Sequence, residues 1–225
     1  ASTVARLLHL SHDQARVLVT AGMASGIAAI FRAPLGGAML GVELLYLEDL
    51  EADALLPSLV ASVVAYIVYG AVDGFTPVFG DQAQITFTGA SQFVWFAVLG
   101  IAAGLLARTY AGSFYAVMTA TQRLRIPRWL PPALAGVVVG ALGLVVPGVL
   151  GTGYGTVQQL MTPQGALALP LLVLTAIPFA KILATSLSIG SGGSGGIFGP
   201  GMVIGAALGA AFWAVLHAIP AIAGS

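Results

Sequence analysis

From Trp129 to Ala180 the chain carries not one Asp, Glu, Lys or Arg, and no other feature limits its possible folds so severely. A stretch of that length without charge has to be covered by other protein or by lipid, and it is far longer than one buried helix. Composition agrees with lipid. Hydrophobic residues make up 58% of the sequence and charged residues 7%, whereas soluble domains carry roughly a quarter charged residues. We therefore expect an all-α, polytopic membrane protein with tilted, partly non-spanning helices, embedded in the bilayer and without a soluble domain. A formal net charge of zero gives no field that would attract nucleic acid. The lack of cysteine removes disulfides, thiol chemistry and Cys-ligated metals, and His9, His12 and His217 are the only histidines. No cofactor and no metal are expected. The sequence opens at Ala1 with neither an initiator Met nor a recognisable signal peptide, so it is expected to belong to something longer.

Read in order, residues 1–12 look like the end of one helix. Ser11 or His12 with Asp13 opens a helical stretch to about Phe31, whose small residues (Ala21, Gly22, Ala24, Ser25, Gly26, Ala28, Ala29) predict close packing against a neighbour. Arg32-Ala33-Pro34 breaks it, because a residue before proline is pushed out of helical geometry. A second helix then runs from Pro34 to about Leu47. Counted as residues 17–31 and 33–47, each covers only about 22 Å at 1.5 Å per residue, short of a hydrocarbon core of roughly 30 Å. Such pairs are expected where helices stop partway and aim their ends at a buried site. The acidic turn 48–53 has to reach water. Residues 54–72 form one span, 73–90 a polar connection, and Ser91 to Ala120 a long tilted helix. The basic loop 122–128 is assigned to the cytoplasm by its Arg residues, and two crossings back the acidic turn is cytoplasmic too. Residues 130–147 form another span, Pro147 to Gly155 a glycine-rich loop, 156–164 a short polar segment and 166–187 a helix holding Lys181. The last helix runs from 197 to about 218, giving about eight helical segments in all.

Between the last two helices lies Ser188-Ile-Gly-Ser-Gly-Gly-Ser-Gly-Gly-Ile-Phe-Gly-Pro200. A Gly/Ser run of this kind serves as a linker elsewhere, but here it has no soluble domain to tether. Pro200 suits the first turn of a helix, where a missing N–H costs nothing. Glycines allow close approach of the backbone, and a helix N-terminus offers unpaired N–H groups and the positive end of the macrodipole. The stretch predicts an anion site formed by Gly195, Gly196, Ile197, Phe198, Gly199 and Pro200, the donors being amides around 196–199. A phosphate-cradling loop would need a Lys-Ser/Thr ending, which is absent. Gly192-Gly193-Ser194-Gly195 also fits the Gly-x-Ser-Gly pattern of an intramembrane serine hydrolase. Such a serine needs a histidine within hydrogen-bond reach, and His217 lies about 35 Å along the same helix. We expect no enzyme. A purely structural membrane bundle is the third reading.

Four polar side chains sit in apolar helices. Glu43 is either a carboxylate on a proton path or a residue near enough to the helix end to reach water. Lys181, nine residues before Gly190, either adds positive potential to an anion pathway or pairs with an acid or snorkels. Arg32 and Arg108 share that ambiguity, with structural roles favoured.

Two ordered stretches resemble the CLC family of chloride channels and chloride/proton antiporters. Gly190 to Pro200 is similar to the family's GxFxP signature, with Gly196, Phe198 and Pro200 in its fixed positions. Ala21-Gly-Met-Ala-Ser-Gly-Ile-Ala-Ala-Ile-Phe-Arg-Ala-Pro-Leu-Gly-Gly37, continuing to Val42-Glu43, resembles the stretch after its second signature. Gly151-Thr-Gly-Tyr-Gly155 and Ala180-Lys-Ile-Leu-Ala-Thr185 are similar to bacterial members. The resemblance covers essentially the whole chain. It implies chloride or a similar small anion as the transported ligand, bound by main-chain N–H groups matching Ile197 and Phe198. It also implies a homodimer in a bacterial inner membrane, with about 1–72 ending a first half-repeat and 91–225 starting a second. The serine, gating glutamate and pore tyrosine of the family would lie outside residues 1–225. In one respect this chain departs from the antiporters: Glu43 matches the first of two successive acids, and Leu44 replaces the second, which serves their inner proton route. Gly199 stands where many members have Ala, a small change.

Overall fold

A computed structural model describes residues 2–44, 52–76, 78–79, 89–90 and 92–218. Its chain divides into two compact units, Ala1–Ala83 and Gln84–Ser225. Among the described residues all regular structure is helical, and five helices are long and apolar enough to cross a membrane.

In the first unit, α1 (Ser2–Leu7) is followed by α2 (His12–Phe31), α3 (Pro34–Leu44) and α4 (Ala52–Asp73). Ser11 caps α2 in a capping box, its hydroxyl accepting from the Gln14 N–H while the Gln14 side chain accepts from the Ser11 N–H. Because α2 starts at His12, it has 20 residues and reaches about 30 Å, enough to span. This corrects the expectation for the first of the pair; α3 is described over 11 residues, and 45–47 of the expected second helix lie outside the described residues. The break comes where expected. Arg32 takes the left-handed conformation at φ 53°, its N–H bonds back to the Ala28 carbonyl, and Pro34 opens α3.

Small residues bring α2, α3 and α4 together. Thr20, Ala21, Ala24 and Ala28 of α2 are buried, all but Ala21 completely, on one face at helical spacing. Gly37 and Gly41 of α3 meet that face. Ser58 and Ser62, one turn apart on α4, are also fully buried. The Arg32 guanidinium ties the break to the end of α4: it donates to the Thr76 carbonyl and hydroxyl and pairs with the Asp73 carboxylate at 2.7 Å. Of the acidic turn, residues 48–51 lie outside the described residues, as do 77 and 80–88 of the polar connection.

The second unit holds α5 (Gln92–Arg123), α6 (Leu130–Val145), a 3₁₀ turn (Pro147–Val149), α7 (Tyr154–Leu160), α8 (Pro163–Leu167), α9 (Leu171–Gly190) and α10 (Phe198–His217). At 32 residues α5 extends about 48 Å, beyond its expected end and into the basic loop. With 16 residues α6 covers only about 24 Å, so the expected span at 130–147 falls short; Pro147 stops it. Two elements replace the short polar segment, α8 being capped by the Thr162 hydroxyl. Helix α9 starts after Pro170 rather than at 166, and it continues to Gly190, so the first three residues of the glycine-serine stretch are helical. It is the centre of this unit, packing against α5, α6 and α10. Leu106, Ile182 and Ile204 form a core where α5, α9 and α10 meet, with Tyr110 and Leu208 packed around them.

A Cβ added at Gly37 would lie 2.6 Å from the Ala28 N and 2.8 Å from the Ala24 O, backbone atoms that cannot turn aside, whereas one at Gly26 meets nothing within 4 Å. Gly37→Ala is therefore expected to destabilise the protein by about 1–3 kcal/mol, and Gly26→Ala to be neutral or slightly stabilising. Thermal unfolding of the full-length protein in detergent checks the pair.

Candidate anion site

Two chain interruptions shape the site. The first follows α6, where the 3₁₀ turn leads through Gly151 at φ 59° and Gly153 at φ 75° into α7. Both glycines hold left-handed backbone that other residues seldom adopt. The second joins α9 to α10. Ser191 N–H bonds to the Leu187 carbonyl, Gly192 N–H to Ile189, and the Ser191 hydroxyl to Ser188, so donors from the turn occupy the carbonyl end of α9. Gly192, at φ 100°, then turns the chain back.

The α10 end is built differently. Its N-cap is Ile197, which has no side-chain acceptor and makes no capping bond. Gly201 N–H bonds to the Ile197 carbonyl at 3.1 Å, and Pro200 has no N–H, so the amides of the opening turn lie at Phe198 and Gly199. This end opens into a cavity of about 560 Å³ lined by all six residues expected at the anion site, Gly195 to Pro200, together with Lys181. A Cβ on Gly196 would meet nothing within 4 Å. At Gly199 it would come 3.5 Å from the Thr152 O and 3.7 Å from Tyr154 Cε1, ordinary contacts that leave room for an alanine.

Lys181 is 1% exposed. Its Nζ donates to the Val149 and Gly151 carbonyls, both at 2.8 Å. Buried, it does not snorkel, and it pairs with no acid among the described residues: it anchors the first interruption to α9. Thr152, Thr185, Ser188 and Ser194 line the same cavity, and of these only Ser194 is a candidate from the sequence. Nor is Tyr110, whose hydroxyl donates to the Ile197 carbonyl at 3.1 Å. The available signal was a phenol in the middle of an apolar helix, which needs a polar partner.

The remaining candidates lie elsewhere. Glu43 is exposed near the end of α3 in the first unit, Arg108 is exposed on α5, and Arg32 has the structural contacts given above. For the hydrolase reading, Ser194 lacks the histidine that reading calls for. Among the described residues no histidine lines the cavity, and His217 stacks on Trp213 at the far end of α10, ring centroids 5.0 Å apart.

A family model described as voltage gated chloride channel matches residues 1–224. The chain belongs to this family. It is similar to a ClcB-like chloride channel protein of Ralstonia nicotianae, 33% identical over 93% of this chain and 48% of that protein. The voltage-gated ClC-type chloride channel ClcB of Shigella boydii is 34% identical over 86% of this chain and 45% of its own length. An uncharacterised protein of Methanocaldococcus jannaschii is 29% identical over 94% and 52%. The chain spans about half the length of these curated relatives. Membership of the voltage-gated chloride channel family and five apolar helices make it an integral membrane protein, and the hydrolase alternative finds no support in these relatives.

Lys181→Met would leave the Val149 and Gly151 carbonyls without donors, at a cost of about 2–4 kcal/mol. Gly199→Ala should stay within about 0.5 kcal/mol of the parent. Unfolding midpoints of the two variants measured side by side test both values.

Proposed function

We propose that this chain forms one wall of a pathway for chloride or a similar small anion, with the ion held by main-chain N–H groups at the start of α10. One observation carries the reading: in a member of the chloride channel family, a helix N-terminus without a side-chain cap opens into a cavity lined by Gly195, Gly196, Ile197, Phe198, Gly199 and Pro200. The partial positive charge of that terminus suits an anion. The ammonium of Lys181, lining the same cavity, adds positive potential while its hydrogen bonds go to carbonyls.

The resemblance supports a homodimer in a bacterial inner membrane, with the exposed Arg123, Arg125 and Arg128 on the cytoplasmic side. It also supports reading the chain as the end of one half-repeat, to about residue 72, and the start of another from 91. The division after Ala83 falls between those limits.

Gly196→Val tests the site, since its Cβ has open space and the branched side chain would occupy the cavity instead of disturbing the fold. In liposomes containing the full-length protein, chloride flux should fall by more than about tenfold, equivalent to ~1.4 kcal/mol. No chloride flux in the parent protein, or an unchanged flux in the variant, would sink the proposal. Leu44 stands in the place of an acid on the antiporters' inner proton route, so the second expectation concerns coupling. The chloride reversal potential should not move when a pH gradient is imposed across the membrane. Uphill chloride uptake driven by protons would show an exchanger working through another route.

A further inference from the structure

The carbonyl of Ile197 is engaged twice. It accepts the first intrahelical bond of α10 from the Gly201 N–H, and from the side it accepts the hydroxyl of Tyr110 on α5, each at 3.1 Å. A carbonyl oxygen has two lone pairs, so its capacity is filled. The peptide joining Ile197 to Phe198 is planar and trans, and across such a unit the C=O and the following N–H point in opposite directions. A carbonyl held from two directions therefore fixes the direction of the Phe198 N–H, outward from the start of α10.

This constraint matters because, on the side of that peptide preceding Phe198, the chain itself offers little to set its angle. The N-cap side chain makes no capping bond. Gly195 and Gly196 precede it, residues whose backbone has the widest conformational range, and a Cβ at Gly196 would touch nothing. The first turn of a helix shifts readily towards 3₁₀ geometry, which would swing the peptide. The Tyr110 ring, in contrast, is fixed by packing against the core of Leu106, Ile182 and Ile204.

We infer that Tyr110 is a positioning residue for the anion site: its hydroxyl holds the Ile197–Phe198 peptide at the angle from which the Phe198 N–H meets the anion. The inference rests on the anion-site reading of the preceding subsection. Tyr110 touches no ion; it acts through the backbone. Removing its hydroxyl leaves α10 formed, since the Gly201 bond remains, and loosens the orientation of one amide.

The test is Tyr110→Phe in the full-length protein, with chloride binding followed by isothermal titration in detergent and unfolding midpoints measured in parallel. Tyr115→Phe, an exposed ring on the same helix, is the control. Chloride affinity should weaken by about threefold to tenfold in Tyr110→Phe, the loss of one hydrogen bond's worth of orientation, and stay unchanged in Tyr115→Phe. Affinity equal to the parent's in Tyr110→Phe overturns the inference, as does a lower unfolding midpoint with affinity intact, which is the mark of a purely structural bond. If Gly196→Val abolishes binding while Tyr110→Phe leaves it unaltered, the anion site stands and only the role of Tyr110 falls. Absence of chloride binding to the parent protein overturns both.

Discussion

The contact between the Lys181 amine and the carbonyls of Val149 and Gly151 solves the problem on which the second unit depends. Hydrocarbon supplies no water to unpaired backbone groups, so a chain that stops being helical inside a membrane must find partners within the protein. After α6 the chain abandons helix for a 3₁₀ turn and two left-handed glycines. The carbonyls released there are met by a lysine of α9, the helix that also packs against α5, α6 and α10. On its other side the same segment approaches α10 closely: a Cβ on Gly153 would come 2.5 Å from Val203 Cγ2. The interruption is thus gripped between two helices, and the cavity takes its shape from that grip.

Arg32 meets a related need in the first unit. It sits at the break between α2 and α3, in left-handed conformation, and its guanidinium reaches the carbonyls and side chains at the end of α4. The two basic residues differ in what they face. Arg32 has a carboxylate partner and lies near a polar connection, so its planar fork is shared among several acceptors. Lys181 donates to two carbonyls and is almost wholly enclosed. Both mark places where a helix break needs donors.

Much of this was legible in the sequence wherever local chemistry decides the outcome. The Ser11 cap, the break at Arg32-Ala33-Pro34 and the start of α10 before Pro200 depend on residues within one turn of each other, and each was found to within a residue or two. Boundaries inside uniform apolar runs were not legible. Apart from Pro170, which caps the start of α9, nothing in the composition around 166–171 marks where α8 ends at Leu167. The six residues of the candidate site stood out because glycine, proline and position identify a helix start. Their supports did not. Tyr110 and Ile197 are 87 residues apart, and Lys181 bonds to backbone acceptors 30 and 32 residues away. A carbonyl acceptor leaves no trace in residue identity, so Lys181 suggested a role while its partners stayed hidden.

These supports also bear on why a membrane protein would offer backbone amides to an anion rather than a cationic side chain. A conducting site has to bind well enough to draw the ion from water and weakly enough to release it. A bare ammonium in a low-dielectric cavity attracts an anion too strongly for release, whereas the end of a helix presents only about half a unit charge, spread over several N–H groups. In this chain the one lysine lining the cavity directs two of its donors to carbonyls, which disperses its charge into the protein. On the proposed reading, the amides at the start of α10 are the groups that meet the ion. Control would then lie in angle more than in charge, and Tyr110 bears on that angle through the carbonyl of Ile197.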